Sequence, residues 1–482
     1  MSLPVDAPST AVGEAKISRP QVSQDRIAPA PRAKGIASRI SAFMRKGMEE
    51  DTLRVLNRLV RPGDHVLEVT AGPHSYAHAL TAARVETFHV DATRLASGDP
   101  VAEMLGAHGQ SEPYDVIFLQ GIVSYTSDIQ DLLTAFRPWC TSDTRLVLLS
   151  YNALWQPLLQ LANALGMRKR TPDENWLSFH DVNNLLLLAD LDLIGHRRRV
   201  LLPVGIPLLT ALANRFFSAL PGLTWFGLCD WYVARAAGAP HPEGKVSVVV
   251  PARNEAGNIA RILEEMPKMG TGVEVIFVEG GSTDDTWETI EREKQRYRGH
   301  AEVRLLKQKG KGKKDASFLG FDEATGDYLM IFDGDVTVPP ADLPKFYEAA
   351  RSGKGEFING TRLVYPLHEG AMRFLNLIAN RFFAIAFSFI LGQQLKDTLC
   401  GTKVLSRRNW QRLLSLRAEF AGRDPFGDFD LLFGAARLQL KIVEVPIRYQ
   451  ARTYGTTNIS RFSHGWMLLK MCVWGLRSLK FV

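Results

Sequence analysis

Residues 327–340 read DYLMIFDGDVTVPP, an apolar run that stops abruptly at Asp333, Gly334 and Asp335. Two carboxylates one residue apart can both face a hard divalent cation, and the glycine between them lets the backbone pass close by. Mg²⁺ or Mn²⁺ binds one or two protein carboxylates and fills the rest of its shell with substrate phosphates. Asp333 and Asp335 are therefore candidate metal ligands at a metal–diphosphate site. For this tripeptide alone, a polar turn with two solvated aspartates is the plainer alternative. Other motifs accompany it, however. PARNE (251–255) and VEGGSTDDT (278–286) each close a strand-like run upstream. KQKGKGKKDA (307–316) sets Lys307, Lys309, Lys311, Lys313 and Lys314 around two glycines. In a chain with a metal-type carboxylate pair, that loop reads as a cradle for phosphates.

Such residues need a frame that brings separate loops together. From residue 244, the strand-like runs GKVSVVVP, VEVIFVEG, EVRLLKQ and DYLMIFDGD alternate with the helix-like runs NIARILEEM, TWETIEREKQRY and ASFLGFDEA. Beyond Thr361 the pattern turns helical and amphipathic. Upstream, ASRISAFMRKGMEEDTLRVLNRLV reads as helix. HVLEV (65–69), VETFHVDA, YDVIFLQGIV and TRLVLLSYNAL follow as strands, with helical runs such as DIQDLLTAF between some of them. Alternating strands and helices imply parallel, doubly wound sheets. The expected fold class is α/β: two Rossmann-like αβα domains with amphipathic C-terminal helices. The expected division is a disordered Pro/Ala/Ser-rich tail over 1–37, a first domain over 38–235, a linker over 236–243 and a second domain over 244–482. Ligands of open parallel sheets sit beyond the carboxyl ends of the strands, which is where these motifs fall.

The order and spacing of the four motifs resemble family 2 glycosyltransferases of the GT-A fold, over about residues 244–460. The nearer likeness is to polyprenyl-phosphate sugar synthases such as dolichol-phosphate mannose or glucose synthase. The resemblance implies that Pro251, Ala252, Arg253, Asn254, Glu255 and Glu279 hold the nucleoside of a nucleotide sugar. It puts Asp333, Lys309, Lys311 and Lys313 on the donor, and Mg²⁺ or Mn²⁺ on Asp333 and Asp335. Two positions depart from the family pattern: the usual paired Asp is Glu279–Gly280, and Thr337 stands where a Gln is expected. NGTRLV (359–364) is similar to the family's Gly-Ser/Thr-Arg, which implies a phosphate contact for Arg362, with Arg373 and Arg381 as similar candidates. KDTLCGTKVLSR (396–407) resembles the Asp-Thr/Ser-x-Cys-Gly-x-Lys signature. That implies roles for Asp397 and Lys403, the lysine joining Arg362 and Arg373 at an acceptor phosphate. FGDFDLL (426–432) sits at the late acidic segment, so Asp428 and Asp430 are candidates, and YGTTNIS (454–460) resembles a loop that closes over the donor.

The implied activity is metal-dependent, inverting transfer of a sugar from a nucleotide diphosphate sugar to a membrane polyprenyl phosphate. A lipid phosphate is already ionised near neutral pH and needs no general base. A hydroxyl acceptor needs one, and Asp428 or Asp397 would supply it. Transfer to a sugar or polysaccharide hydroxyl, and a membrane-docked scaffold with decayed sites, are the alternatives. In the first domain, HVLEVTAGPHSYAHAL and FHVDAT are similar to the opening of class I methyltransferases. That likeness implies S-adenosylmethionine as a possible cofactor at Glu68, Gly72 and Asp91, the last 23 residues beyond Glu68. Gly72 is the only one of the loop's usual glycines present, so the alternative is a degenerate domain that docks the transferase or a partner.

Composition narrows the partners. A chain of 482 residues suits two or three domains, and 46% hydrophobic residues suffice for ordinary cores. A net charge of +7 suits an acidic partner such as a phosphorylated substrate or an anionic membrane. No long basic run with interleaved aromatics points to nucleic acid. Cys140, Cys229, Cys400 and Cys472 lie far apart without metal-ligand spacing and read as reduced thiols of a cytosolic protein. There is no secretory leader pattern and no charge-free apolar run of the ~18 residues a spanning helix needs. Segments 371–392 and 465–482 are amphipathic. Such helices can lie among lipid headgroups, so the expected location is cytoplasmic and peripheral at the inner face of a membrane.

Overall fold

The computed structural model describes residues 36–71, 74–106, 112–164, 174–203, 206, 208–365, 374–420, 424, 426–452, 454 and 461–481. Residues 1–35 of the expected tail thus lie outside the described residues, and a helix over Ile36–Leu59 begins the described chain.

Two sheets organise it. The first contains β1 (His65–Thr70), β2 (Arg84–His89), β3 (Val116–Gln120), β4 (Arg145–Tyr151), β5 (Leu191–Arg199) and β6 (Cys229–Ala236), in the order β2-β1-β3-β4-β6-β5. The second contains β7 (Val246–Ala252), β8 (Val273–Glu279), β9 (Glu302–Lys307), β10 (Tyr328–Ile331), β11 (Phe357–Thr361), β12 (Lys403–Ser406) and β13 (Ile442–Pro446), in the order β13-β11-β12-β10-β7-β8-β9. The α/β class with two layered, mainly parallel sheets is the one the sequence pattern predicts. Two departures have a common cause. Strands β5 and β6 of the first sheet, and β12 of the second, run antiparallel to their neighbours. Beyond Thr361 the chain also returns twice to the second sheet, as β12 and β13, where the sequence reads as helical. These strands are short or charged, and neighbouring strands far away in sequence give them their order.

The long apolar runs become strands because both faces of each sheet are covered. Along β7, Val246, Val248 and Val250 enter one core while Val249 enters the other. Along β1, Leu67 and Val69 face one core and Val66 the opposite one. The helix over Phe374–Leu391 buries Phe383, Phe387 and Ile390 against the second sheet's core and leaves Ile378, Phe382 and Ile385 exposed. Asn380 on the same helix is buried. Among the described residues no helix is long and apolar enough to cross a membrane. All four cysteines are unpaired and buried.

The two sheets are joined by polar contacts as well as by chain. Arg145 pairs with Glu356 at 2.7 Å, and Arg412 with Asp143 at 3.2 Å. Lys441 donates to the Leu193 carbonyl at 2.6 Å. Gly238 meets Gly353 so closely that a Cβ on it would fall 1.9 Å from the Gly353 carbonyl oxygen.

Candidate active site

The carboxyl ends of β7, β8 and β10 point to one side, and their loops converge there. After β7 the chain turns through Asn254, and after β10 through Val336, both with positive φ (57° and 52°). Such a backbone is costly for asparagine and more so for a β-branched valine. It persists because the loops are pinned. Asn254 accepts from the Thr283 backbone N–H at 2.8 Å, and the Glu255 N–H donates to Thr286 Oγ1 at 3.0 Å. Glu279 is buried, and its carboxylate accepts from the Ser282 N–H at 2.5 Å. PARNE and VEGGSTDDT, separate in sequence, thus form one continuous wall at the carboxyl ends of β7 and β8.

Asp333 and Asp335 sit at the mouth of that wall. The Lys313 ammonium is 2.6 Å from Asp333 and 3.8 Å from Asp428. Arg452 pairs with Asp335 at 2.5 Å, and Thr337 donates to the same carboxylate at 2.8 Å. A Cβ on Gly334 would lie 3.1 Å from the Pro251 carbonyl oxygen and 3.4 Å from Glu255 Cγ, so the PARNE loop lies directly against the acidic turn. Glu255 is pushed up to about 7, by burial first and then by the charges of Asp335 and Asp333, while Asn258 and Arg452 oppose the rise. Burial would lower the Lys313 ammonium, but Asp333 and Asp428 hold it well above its ordinary value. Asp333 is correspondingly held below the usual carboxylate range: burial opposes this, and Lys313 outweighs it.

The signature downstream of β11 builds the floor. Gly401 makes room for the Asp333–Lys313 ion pair, since a Cβ there would fall 1.9 Å from Asp333 Oδ2 and 2.3 Å from Lys313 Nζ. Arg362 grips Asp397 in a fork of 2.7 and 2.9 Å and stacks over Tyr449 at 5.2 Å. Asp397 is only 1% exposed and also accepts from the Leu399 N–H at 3.0 Å. Lys403 is 0% exposed, its ammonium donating to the Cys400 carbonyl at 2.5 Å and pairing with Asp428 at 3.1 Å. Asp428 opens the helix Asp428–Arg437, whose first turn is capped by Asp424 accepting from the Phe429 and Asp430 N–H groups at 2.8 and 3.2 Å. Lys314 pairs with Asp430.

The structure therefore gathers Pro251, Ala252, Asn254, Glu255, Glu279, Lys313, Asp333, Asp335, Asp397, Lys403 and Asp428 within one neighbourhood, and it redistributes their tasks. Lys403 is enclosed and holds Asp428, so it does not lie open to an incoming phosphate. Asp397 has both oxygens committed to Arg362 and the backbone, which suits an orienting residue and not a base. Lys309 and Lys311 are exposed, and of the basic loop only Lys313 and Lys314 turn toward carboxylates. Arg253 is exposed, as is Arg381. Arg373, Gly72 and the loop 455–460 lie outside the described residues, although Tyr454 just before that loop lies 3.5 Å from Asp284. The sequence reading missed Arg452, Gly401 and Asp424. Each works through a partner brought close by folding, and only the position of Gly401 within the Cys-Gly-x-Lys signature hinted at its role.

The first domain's candidates are otherwise employed. Glu68 is fully buried and accepts from Ser75 Oγ at 2.5 Å and from the Tyr76 and Ala77 N–H groups at 2.8 and 3.2 Å. Asp91 is exposed and caps the short helix Ala92–Ser97, accepting from the Thr93 N–H at 2.8 Å.

Known proteins resemble part of the second domain. Residues 247–413 match the family model for glycosyl transferase family 2. That match lies wholly within the second domain, running from β7 to the helix that follows β12. The chain is 29% identical over 227 residues to the low-salt glycan biosynthesis hexosyltransferase Agl6 of Haloferax volcanii, covering 46% of this chain and 51% of that protein. It is 33% identical over 123 residues to the dolichol-phosphate mannosyltransferase of Pyrococcus furiosus, covering 25% of this chain and 34% of that protein. The match thus spans about half the length of the first relative and about a third of the second. A crystal structure of glucosyl-3-phosphoglycerate synthase from Mycobacterium tuberculosis overlays 49% of this chain and 80% of that one, at 20% identity and a TM-score of 0.38.

Proposed function

We propose that the protein transfers a sugar from a nucleotide diphosphate sugar to a phosphate acceptor, with inversion and with the help of a divalent cation. A membrane polyprenyl phosphate is the acceptor class that fits best. One observation carries the reading: Asp333 and Asp335 stand beside the PARNE loop, with Lys313 2.6 Å from the first carboxylate and Arg452 2.5 Å from the second. A departing diphosphate needs this alternation of carboxylate and cation.

The donor set fits Mg²⁺ or Mn²⁺. Asp333 and Asp335 offer hard carboxylate oxygens one residue apart at the end of β10. Asp333 and Asp335 would hold the ion, which when bound neutralises charge on the leaving diphosphate. The chain's own residues do the rest. The loops 251–255 and 278–286 hold the nucleoside. Lys313, anchored by Asp333 and Asp428, places a fixed positive charge where negative charge grows. Arg362, rigid in its fork with Asp397, presents its remaining guanidinium edge to a phosphate. Asp428 lies between Lys313 and Lys403 and serves to orient those ammonium groups. With Asp397 committed to Arg362, the site is better suited to a nucleophile that is already ionised than to a hydroxyl that must lose a proton. The dolichol-phosphate acceptor in one relative's name supports the same choice.

A panel of nucleotide sugars, screened by thermal shift with and without Mn²⁺, identifies the donor, because a bound ligand raises apparent stability by mass action. Transfer from that donor to a polyprenyl phosphate is then compared with transfer to a sugar hydroxyl. Asp428→Asn retaining much of its rate with the lipid acceptor supports the phosphate reading. Neither transfer nor nucleotide-sugar hydrolysis by the parent protein would leave a membrane-docked scaffold instead. For the first domain we infer a docking role, because Glu68 and Asp91 are spent on their own loops. Calorimetry with S-adenosylmethionine that shows a saturable heat would overturn that inference.

A further inference from the structure

A second polar cleft lies between the domains, lined by none of the residues assigned to donor or acceptor. Strand β5 forms one wall, with Arg197, Arg198 and Arg199. The end of the helix Phe374–Leu391 and the turn after it form the other, and Lys480 and Trp225 complete a cavity of about 410 Å³. Among the described residues no carboxylate lines it. Arg199 is balanced by Asp51 at 2.8 Å and Arg198 by Asp230 at 3.0 Å, both from outside the cleft. Arg197 and Lys480 have no carboxylate partner among the described residues. They nevertheless converge: a Cβ on Gly392 would lie 3.9 Å from Arg197 Nε and 4.0 Å from Lys480 Nζ. Two cations drawn together without a counter-charge are costly unless an anion joins them. Burial and the neighbouring arginines Arg199, Arg58 and Arg437 pull Arg197 down to about 10. Burial, with Arg197 and Arg199, likewise pulls Lys480 well below its ordinary value.

One structural role is already visible. Arg197 donates to the Leu479 carbonyl at 3.0 Å and Arg199 to the Lys480 carbonyl at 3.3 Å, closing the end of the last helix. That uses one donor of Arg197 and does not account for Lys480, whose ammonium lies 4.8 Å from the Phe389 ring centroid. A guanidinium and an ammonium facing one open space match the oxygens of a phosphate. Two aromatic rings, Trp225 and Phe389, line the same space, and Trp225 is 69% exposed; Phe226, next in the chain, and Ile385, one helical turn before Phe389, are exposed too.

We propose that this interdomain cleft binds a phosphate ester, with its anionic head on Arg197 and Lys480, and that a lipid supplies it, its tail lying along the Trp225 rim. The site is separate from the glycosyltransferase centre and does not depend on that assignment. The full chain is sedimented with phosphatidylcholine vesicles with and without phosphatidic acid, and glycerol 3-phosphate is titrated in parallel. Binding that requires phosphatidic acid is expected. Arg197→Gln and Lys480→Gln should each weaken it by about tenfold, the loss of one charged hydrogen bond. Lys268→Gln, an exposed lysine elsewhere, should leave it within about twofold, the level at which exposed charges act. If glycerol 3-phosphate binds and the same variants lose it, while vesicles are ignored, the phosphate site stands and the lipid source is overturned. Vesicle binding that is equal for the parent and a normally melting Lys480→Gln, with no glycerol 3-phosphate binding, overturns the whole proposal. Lys480→Gln decides the matter even where Arg197→Gln fails to fold.

Discussion

The two sheets treat an acidic residue on a central strand, or just past its end, in opposite ways. In the first domain Glu68 points into its own loop, and Ser75, Tyr76 and Ala77 donate to it. Its charge is spent on donors of that loop and on Thr87 of the adjacent strand, and little of it is left for a ligand. In the second domain Asp333 and Asp335 are matched by Lys313 and Arg452, from the basic loop upstream and the chain's last third. Those partners are side-chain cations brought in from distant parts of the chain. Similar topology therefore yields a self-satisfied turn in one domain and a cluster of side-chain ion pairs in the other. What separates them is the nature of the carboxylate's partner: backbone N–H groups fix a loop, whereas side-chain cations set up a charge pattern.

The comparison breaks most visibly if the acidic pair is neutralised. Asp333→Asn should lower the turnover of sugar transfer by about 10³-fold, the scale of losing a main electrostatic stabiliser. Circular dichroism should show the fold retained, and an active Asp333→Asn would sink the assignment. Gly401→Ala comes next, because its methyl would occupy the space of the Asp333 carboxylate. A misplacement of that order should cost about 10²-fold in kcat/KM. The mirror experiment lies in the first domain. Glu68→Ala should destabilise that domain by about 2 kcal/mol, by stranding buried donors, while transfer below the melting transition stays intact. Transfer lost together with Glu68 would mean that the domains are catalytically coupled.

Smaller effects sharpen the contrast. Burial alone would raise the Asp397 carboxyl, but Arg362 holds it below its ordinary 3.8. A carboxylate with a lowered folded value stabilises the fold fully above its unfolded value and loses that contribution as pH falls through the lowered one. Asp397→Asn should therefore flatten the acid limb of a stability–pH curve and leave the limb above neutrality parallel to that of the parent. Asp91→Ala, which removes an exposed helix cap, should change stability least of all.

Much of the second domain is legible without coordinates. Its strands are continuous apolar runs, and the acidic pair, the PARNE turn and the lysine loop follow them at the spacing a parallel sheet demands. Strands β5, β12 and β13 are less legible. LDLIGHRRR carries three consecutive arginines and becomes a strand only because β6 pairs with it. The site divides in the same way. Asp333 and Lys313 stand out as types in the chain, but Arg452 does not, since its partner is 117 positions away.

The amino-acid sequence by itself determines which carboxylates can meet a cation and which runs must be buried, because hydrophobic periodicity and residue chemistry are local properties. Only the tertiary structure decides that Lys403 is sealed beneath Asp428, that Asp397 belongs to Arg362, and that Arg197 and Lys480 share a cleft between domains. Charge pairing depends on distances across the fold, and no spacing along the chain encodes them.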